Sequence, residues 1–204
     1  MSSNICSQFM KGFFDRMSDV IRYSWTKVLN KENLAEHTYY VSIIADGIAE
    51  DLEKKFSLEI DRYKVLKYAL YHDIEEIFTG DIVSPVKYKS ETLRKQFEEV
   101  GNMILEEQLK SHFAWNTHIS EMILSTHGAY ETGKKEILEN KIVKLADILQ
   151  AIWYTMSEKN LWNTHLVHIT QNLIEILEAR YGSDQYFTDY VIEVKTYLHQ
   201  HSYL

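Results

Sequence analysis

The chain contains only seven glycines and one proline among its 204 residues, and this scarcity limits the folds open to it. Sandwiches and barrels built from many short strands use both residues in their turns. The apolar residues recur instead at spacings of three and four, as on one face of an amphipathic helix, and no segment shows the strict alternation of a half-buried strand. The sequence therefore predicts an all-α protein.

The first half of the chain predicts three helices. The first covers residues 7–20. The second begins at Asn33, whose side chain is expected to cap the first turn together with that of Glu36, and its apolar stripe continues to about Phe56. The third helix is expected over about residues 59–78.

The apolar residues of this third helix share one face, formed by Tyr63, Leu66, Leu70 and Ile74. Gly80 is well placed to end the helix, and Asp81–Ser90, which contains the only proline, is expected to be a loop. Helical patterns resume over residues 91–110, 116–128, 136–159, 163–181 and 184–200. Because no repeat or linker divides the chain, residues 1–204 are expected to form a single helical domain.

Composition and charge exclude several classes of protein. The formal net charge of −8 argues against a binder of nucleic-acid polymers, which needs a basic face. No run of about 18 apolar residues is present, so no membrane-spanning segment is expected. The single cysteine, Cys6, excludes an internal disulfide framework and a cysteine-rich zinc site. The N-terminal segment does not resemble a signal peptide, so the expected location is cytoplasmic.

Nine histidines are an unusual number, and they direct attention to a candidate metal site. His37, the pair His72-Asp73 and Asp147 are flanked by core-type residues, where an unpaired carboxylate is costly. Two imidazoles and two carboxylates form a donor set that suits Mn²⁺, Co²⁺, Fe²⁺, Zn²⁺ or Ni²⁺, and suits Mg²⁺ less because imidazole is a poor ligand for it. Either histidine taken alone is more commonly a packed core residue, so the prediction depends on all four residues converging.

Glu76 is the candidate acid or base of this site. It follows His72 by four residues and Asp73 by three, which on a helix brings the three side chains to one face. At that spacing its carboxylate can reach a water or a leaving group beside the ion. Four protein ligands leave open positions on the ion for water and a phosphate oxygen, as metal-assisted hydrolysis requires.

The order of these residues, a histidine, a His-Asp pair and a distant aspartate, resembles that of the HD-domain metal-dependent phosphohydrolases. The run from Tyr71 to Tyr88, Y-H-D-x-x-E-x-x-T-G-D-x-x-x-P-V-K-Y, is similar to the bacterial 5′-deoxynucleotidase branch of that group. The segment Lys31–His37 and the upstream Arg22 also resemble that branch. The resemblance covers roughly residues 9–180.

Enzymes of this branch are all-α homodimers that remove the phosphate from deoxyribonucleoside 5′-monophosphates, with a divalent metal such as Co²⁺, Mn²⁺ or Cu²⁺. The resemblance therefore implies a homodimeric enzyme with a small nucleotide substrate. It assigns the metal ligands to His37, His72, Asp73 and Asp147, and the acid or base role to Glu76.

The resemblance also implies a substrate-binding region. Arg22 matches an arginine that contacts the phosphate or the sugar, and Asp81 lies in the T-G-D segment that lines the pocket. The family commonly has tryptophan after the arginine, whereas this chain has Tyr23, which can still stack on a base or close on a deoxyribose. Lys87 is either a phosphate-binding point charge or an ordinary solvated lysine.

The positions of two further residues and two alternative functions are also considered. His127 is expected either near the cluster or in contact with its ligands, and Glu75 is expected on the solvent or dimer side because adjacent helical residues point about 100° apart. The same metal site would serve a deoxynucleoside triphosphate hydrolase. A catalytically silent HD fold used for ligand binding or dimerisation is the third hypothesis, although all five metal and acid/base positions are filled.

Overall fold

The computed structural model of the chain describes residues 12–82, 89–133, 137–201 and 203. In this part of the chain a short 3₁₀ helix, Phe14–Ser18, precedes eight α-helices. They are α1 Leu34–Phe56, α2 Arg62–Tyr71, α3 Glu76–Thr79, α4 Glu91–His112, α5 Thr117–Gly133, α6 Leu138–Asn160, α7 Val167–Tyr181 and α8 Thr188–Gln200. The predicted all-α class is confirmed, and an isolated bridge between Ile21 and Asn33 is the only β pairing in the described ranges.

Helix α1 packs against both α2 and α6, which makes it the central helix of the fold. It begins with the predicted capping box, in which Asn33 Oδ1 accepts a hydrogen bond from the Glu36 amide at 2.9 Å and Glu36 Oε2 accepts one from the Asn33 amide at 3.0 Å. Fully buried residues of its inner face are Val41, Ala45, Ala49 and Leu52. His37, in the first turn after the cap, is also fully buried and faces the interior.

The predicted first helix, residues 7–20, is wrong. Its described part contains only the 3₁₀ helix, and the residues before Gly12 lie outside the described ranges. Gly12 has a φ of 73°, which a right-handed helix does not accommodate. The ring of Phe13 is buried, with its centroid 5.7 Å from that of Phe78 and 5.5 Å from that of Phe113, so packing against later helices determines this segment.

The predicted third helix, residues 59–78, is interrupted where the His-Asp pair lies. Helix α2 ends at Tyr71 and α3 begins at Glu76, although the predicted end at Gly80 is confirmed. In the intervening turn, amides bond to carbonyls three residues earlier, as the Glu76 amide does to the Asp73 carbonyl at 3.0 Å. This is the hydrogen-bond pattern of a 3₁₀ turn, which aligns side chains at i and i+3. The turn therefore aligns Glu76 with Asp73, as predicted. The alignment results from the 3₁₀ turn and not from one face of a continuous α-helix.

The apolar face predicted for this helix is wrong for α2. Helix α2 packs against α1, α5 and α6 through the opposite side. The buried residues on that side are Val65, Tyr68 and Ala69. The predicted residues that are exposed instead are Tyr63 (71%), Leu66 (36%) and Leu70 (48%). Only Ile74, which lies beyond the end of α2, is buried as expected.

A second apolar cluster joins the 3₁₀ helix to α3, α4 and α5. Its fully buried members include Leu34, Ile74, Leu105 and Ile123. The turn that carries the His-Asp pair lies where the two clusters meet, since Ala69 belongs to the main core and Ile74 to the second cluster. Among the described residues, no helix combines the length and the apolar character that crossing a bilayer requires.

Candidate metal centre

Four side chains from three parts of the fold converge at one point. His37 comes from α1, His72 and Asp73 come from the turn after α2, and Asp147 comes from α6. One ligand atom from each lies within 4.8 Å of the other three. The Nε2 atoms of the two histidines are 3.2 Å apart. Asp73 Oδ2 lies 3.1 Å from His72 Nε2, and Asp147 Oδ1 lies 3.4 Å from His37 Nε2.

This donor set fits a divalent cation. His72 Nδ1 lies 2.8 Å from the Ala69 carbonyl oxygen, so Nδ1 carries the proton and Nε2 presents its lone pair to the cluster. His37 Nδ1 lies 2.7 Å from Gln150 Oε1, and its Nε2 faces the same point. Lone pairs of two imidazoles and two carboxylates that converge in this way repel one another unless a cation lies among them. The mixed nitrogen and oxygen set is typical of first-row transition metals.

The charges around the cluster keep both aspartates ionised. Burial would raise the pKa of Asp73, but the neighbouring His72 and His37 hold it well below its usual range. Burial would also raise the pKa of Asp147, but the ammonium group of Lys144, which contacts Asp147 Oδ2, and the neighbouring His37 together hold it well below the usual range. An ionised carboxylate is the form that binds a metal.

Glu76 lies beside the cluster at the start of α3 and exposes only 9% of its surface. Its pKa is shifted in the opposite direction from those of the two aspartates. Burial, and after it the negative charges of Asp73, Asp81 and Glu75, raise the pKa of Glu76 well above its usual range. Glu76 therefore keeps its proton to a higher pH than an exposed glutamate does, as a general acid requires.

Arg22 approaches the cluster from the segment before α1. Its Nε lies 3.6 Å from Glu32 Oε2, and its side chain is 12% exposed. Nε and Nη1 are buried and have no hydrogen-bond partner among the described residues. Burial disfavours its charge, but the hydroxyl group of Tyr23 and the nearby carboxylates raise its pKa. A charged guanidinium with unused donors is suited to a phosphate group.

Tyr23 and Asp81 are in direct contact. The Tyr23 amide donates a hydrogen bond to Asp81 Oδ2 at 2.9 Å, and Tyr23 has a φ of 54°, a conformation unusual for a bulky residue. The Tyr23 ring is stacked on that of Tyr154, with centroids 5.0 Å apart and an interplanar angle of 12°. The Arg22 guanidinium carbon lies 5.7 Å from the Tyr23 ring centroid. The ring face that contacts Tyr154 is therefore unavailable to a base.

The remaining predicted residues lie at the edge of the site or beyond it. Lys87 lies outside the described residues. His127 is beside the cluster rather than in it, with Nδ1 3.0 Å from the Tyr71 carbonyl oxygen and Nε2 3.2 Å from Asn102 Oδ1. The predicted solvent or dimer position of Glu75 is wrong, because its Oε2 lies 3.6 Å from His127 Nε2. His127 thus supports the backbone that leads into the His-Asp pair.

Two buried polar residues next to the cluster were not predicted from the sequence. Gln150 is fully buried in α6, contacts His37 through Oε1 and donates from Nε2 to Glu32 Oε1. Its signal in the sequence is a single polar residue in the apolar run after Asp147, one helical turn beyond it. Glu32 stands among other polar residues in K-E-N and has no comparable signal.

Comparison with solved structures identifies the fold of the chain. An HD-domain phosphohydrolase from Listeria innocua matches with a TM-score of 0.72 at 22% identity, and the match covers 96% of this chain and 95% of that one. A conserved hypothetical protein from Pyrococcus furiosus matches with a TM-score of 0.71 at 25% identity, over 94% of this chain and 99% of that one. The chain has the HD-domain fold.

Comparison with known sequences identifies the family to which the chain belongs. The family model described as 5′-deoxynucleotidase YfbR-like matches residues 8–194, and the chain belongs to this family. The 5′-deoxynucleotidase YfbR of Escherichia coli is 26% identical over 186 residues, which are 88% of this chain and 85% of that protein. A 5′-deoxynucleotidase of Pasteurella multocida is 32% identical over 107 residues, which are 49% of this chain and 55% of that relative. The resemblance read from the sequence is confirmed.

Proposed function

We propose that this protein is a metal-dependent 5′-deoxynucleotidase, which converts a deoxyribonucleoside 5′-monophosphate and water into a deoxyribonucleoside and inorganic phosphate. The observation that carries the proposal is a four-donor cluster beside Arg22, whose Nε and Nη1 have no hydrogen-bond partner in the described part of the chain. Membership of the YfbR-like family and the names of the relatives support the same reaction.

The proposed ligands are His37, His72, Asp73 and Asp147. When bound there, a divalent metal supplies Lewis-acid polarisation of the phosphoryl group and lowers the pKa of a coordinated water. Mn²⁺ and Co²⁺ are the proposed ions, because two imidazoles and two carboxylates suit them better than they suit Mg²⁺.

Glu76 is the proposed general acid. In the reaction a bond forms between a water oxygen and phosphorus, and the bond between phosphorus and the 5′ oxygen of the deoxyribose breaks. The departing 5′ oxygen takes the proton of Glu76, which recovers a proton from the attacking water. The raised pKa of Glu76 supports this role, because the group carries its proton before the bond breaks.

Arg22 is proposed to bind the phosphate oxygens through its free donors. Tyr23, which is adjacent to it, is proposed to form the wall near the sugar with the part of its ring that is not stacked on Tyr154. Asp81 acts in this proposal through its hydrogen bond to the Tyr23 amide. A phosphate contact by Lys87 stays a prediction.

The decisive experiment is a phosphate-release panel with dAMP, AMP and dATP on chelator-treated protein, with Mn²⁺ or Co²⁺ added back. We expect inorganic phosphate from dAMP and none from dATP. Release of triphosphate from dATP would instead indicate the triphosphate hydrolase, and no turnover of any nucleotide would indicate the silent module. Asp147→Ala should abolish the activity, whereas Asp184→Ala, which removes a carboxylate paired with Lys141 at 3.0 Å outside the cluster, should retain it.

The proposal includes a homodimer. Tyr39 and Ile43 of α1 expose 62% and 53% of their surfaces, and Tyr63, Leu66 and Leu70 of the neighbouring helix α2 are also exposed. Tyr39 and Leu70 line the same pocket. Sedimentation analysis of the protein and of Leu70→Asp is expected to show a dimer that the added charge weakens. The cytoplasmic location and the single domain over residues 1–204 stay predictions.

A further inference from the structure

A row of buried polar side chains connects Arg22 to the candidate ligand His37. Glu32 Oε2 lies 3.6 Å from Arg22 Nε, and Glu32 Oε1 accepts a hydrogen bond from Gln150 Nε2. At the other end of the amide group, Gln150 Oε1 lies 2.7 Å from His37 Nδ1. Glu32 exposes 4% of its surface, and Gln150 and His37 expose none, so water does not compete for these contacts.

The carboxylate of Glu32 sets the direction of the hydrogen bonds in this row. A carboxylate beside a guanidinium accepts hydrogen bonds and donates none, so Gln150 must face Glu32 with its NH₂ group. The carbonyl oxygen of Gln150 then faces His37 and can only accept, which requires a proton on His37 Nδ1. The lone pair of His37 Nε2 is thereby directed at the cluster, which is the form in which an imidazole binds a metal.

We infer that Gln150 is a positioning residue that holds His37 in the Nδ1–H tautomer, and that Glu32 orients Gln150 for this purpose. The inference rests on the metal site of the proposed function. In the other tautomer, His37 would present an N–H group to the ion and could not bind it. Because the row ends at Arg22, it also links the geometry of a metal ligand to that of the proposed phosphate-binding group.

The first test needs no substitution. Long-range ¹H–¹⁵N correlation spectra of the metal-free protein distinguish the two tautomers of a histidine ring, and comparison with His37→Asn assigns the signals. In the neutral form of its ring, His37 is expected to carry the proton on Nδ1. A His37 ring that carries its proton mainly on Nε2 would overturn the inference.

Substitutions then test the direction of the hydrogen bonds that join Glu32, Gln150 and His37. Gln150→Leu removes the acceptor for His37 Nδ1 and is expected to raise the Kd for Mn²⁺ by about 10–100-fold, the usual effect of losing a partner of a metal ligand. Glu32→Gln does not touch His37, but the new amide can face Gln150 with either group, so mixed tautomers and a weaker Kd are expected. Titration calorimetry with Mn²⁺ measures both effects without reference to activity.

The double variant Glu32→Gln/Gln150→Glu separates positioning from simple packing. The new amide at position 32 can donate to the new carboxylate at position 150, which can accept from His37 Nδ1. Both hydrogen bonds keep their direction, so this variant is expected to restore the Nδ1–H tautomer and most of the Mn²⁺ affinity that either single substitution loses. If Glu32 and Gln150 served only to fill space in the core, the double variant would bind Mn²⁺ more weakly than Gln150→Leu or Glu32→Gln.

Thr155→Val is the matched control, because it removes a buried hydroxyl of α6 whose Oγ1 lies 2.9 Å from Thr170 Oγ1, away from the cluster. It is expected to leave the tautomer and the Mn²⁺ affinity unchanged. Unchanged values in Gln150→Leu would overturn the inference, and if that variant does not fold, the wild-type tautomer and the double variant still decide it. Normal Mn²⁺ binding and the expected tautomer without nucleotide hydrolysis would count against the proposed function alone.

Discussion

Glu158 Oε1 accepts a hydrogen bond at 2.7 Å from the backbone amide of Asn30, 128 residues earlier in the chain. Glu158 Oε2 accepts another from the Leu29 amide at 2.7 Å, and the Tyr154 hydroxyl donates to the Asn30 carbonyl oxygen at 2.6 Å. Two side chains about one turn apart in α6 thus bind both backbone groups of Asn30. The loop between Arg22 and α1 is therefore fixed by the helix that also carries one of the candidate ligands.

Glu158→Gln is expected to lower the Tm and to raise the KM for dAMP. One partly buried backbone amide of the loop would face an NH₂ group in place of an acceptor. The expected loss lies below the figure of about 1–3 kcal/mol for a fully buried donor without a partner. Thermal unfolding and steady-state kinetics measure the two effects. Glu139→Gln, on the same helix with its carboxylate 3.6 Å from Lys64 Nζ, is the control and should change neither value by much. An unchanged Tm for Glu158→Gln would contradict the argument.

Asp73→Ala is expected to lose bound transition metal and all phosphatase activity while the helical fold survives. The substitution removes the carboxylate oxygen that lies 3.1 Å from His72 Nε2 and 3.5 Å from His37 Nε2. Elemental analysis of the purified protein and circular dichroism are the measurements. Asp184→Ala serves as the control outside the cluster. A metal content in Asp73→Ala equal to that of the wild type would reject the ligand assignment.

Glu76→Gln is expected to stabilise the metal-free protein near neutral pH. The pKa of Glu76 is raised in the folded state, so its ionisation opposes folding. This effect is absent below about pH 4, the ordinary pKa of a glutamate, and grows as the pH rises toward the pKa of the folded state. The gain in Tm should therefore be largest at the higher pH values and should shrink as the pH approaches about 4.

The same variant is expected to bind metal and nucleotide normally while kcat falls by about 10²–10⁴, the usual range for a general acid. Exposed Glu59, replaced in Glu59→Gln, provides the control for both measurements. A kcat near that of the wild type would refute the acid role. A lower Tm at neutral pH would instead refute the electrostatic argument.

The helical class and the candidate ligands could be predicted because their signals are local. Polar residues such as His72 and Asp147 stand in apolar helical runs, and burying them without partners would be costly. The capping box of Asn33 and Glu36 is likewise contained within four residues. Their order along the chain then indicated the family, which the family model confirms.

The break between α2 and α3 could not be predicted in the same way. Propensity favours one continuous helix through Tyr71, whereas the 3₁₀ turn depends on contacts from elsewhere, including the hydrogen bond of His127 to the Tyr71 carbonyl. The buried face of α2 could not be predicted either. The spacing of apolar residues identifies an apolar stripe, but it does not show which side of the helix packs against other helices. The contact of Glu158 with Asn30 joins residues too far apart in the chain for any periodicity to indicate it.

Substrate choice depends on Arg22 and Tyr23. The fork of the Arg22 guanidinium can hold a phosphate oxygen or a sugar hydroxyl in a geometry that lysine cannot reproduce, so Arg22→Lys is expected to raise KM by more than about tenfold. Arg16→Lys, at an exposed position in the 3₁₀ helix, is the control. Weak discrimination among bases is expected, because one face of the Tyr23 ring is already stacked on Tyr154 and cannot stack on a base.

The sugar is expected to matter more than the base. Tyr23 is fixed at the proposed wall by its amide bond to Asp81 and by its stacking on Tyr154, so a ribose 2′-oxygen must fit against a ring that cannot easily move aside. We therefore expect a higher kcat/KM for dAMP than for AMP, and similar values for dAMP and the other deoxyribonucleoside monophosphates. Steady-state kinetics on the paired substrates measures both comparisons. Equal kcat/KM for dAMP and AMP would reject the argument about the sugar wall, even for a protein that hydrolyses both.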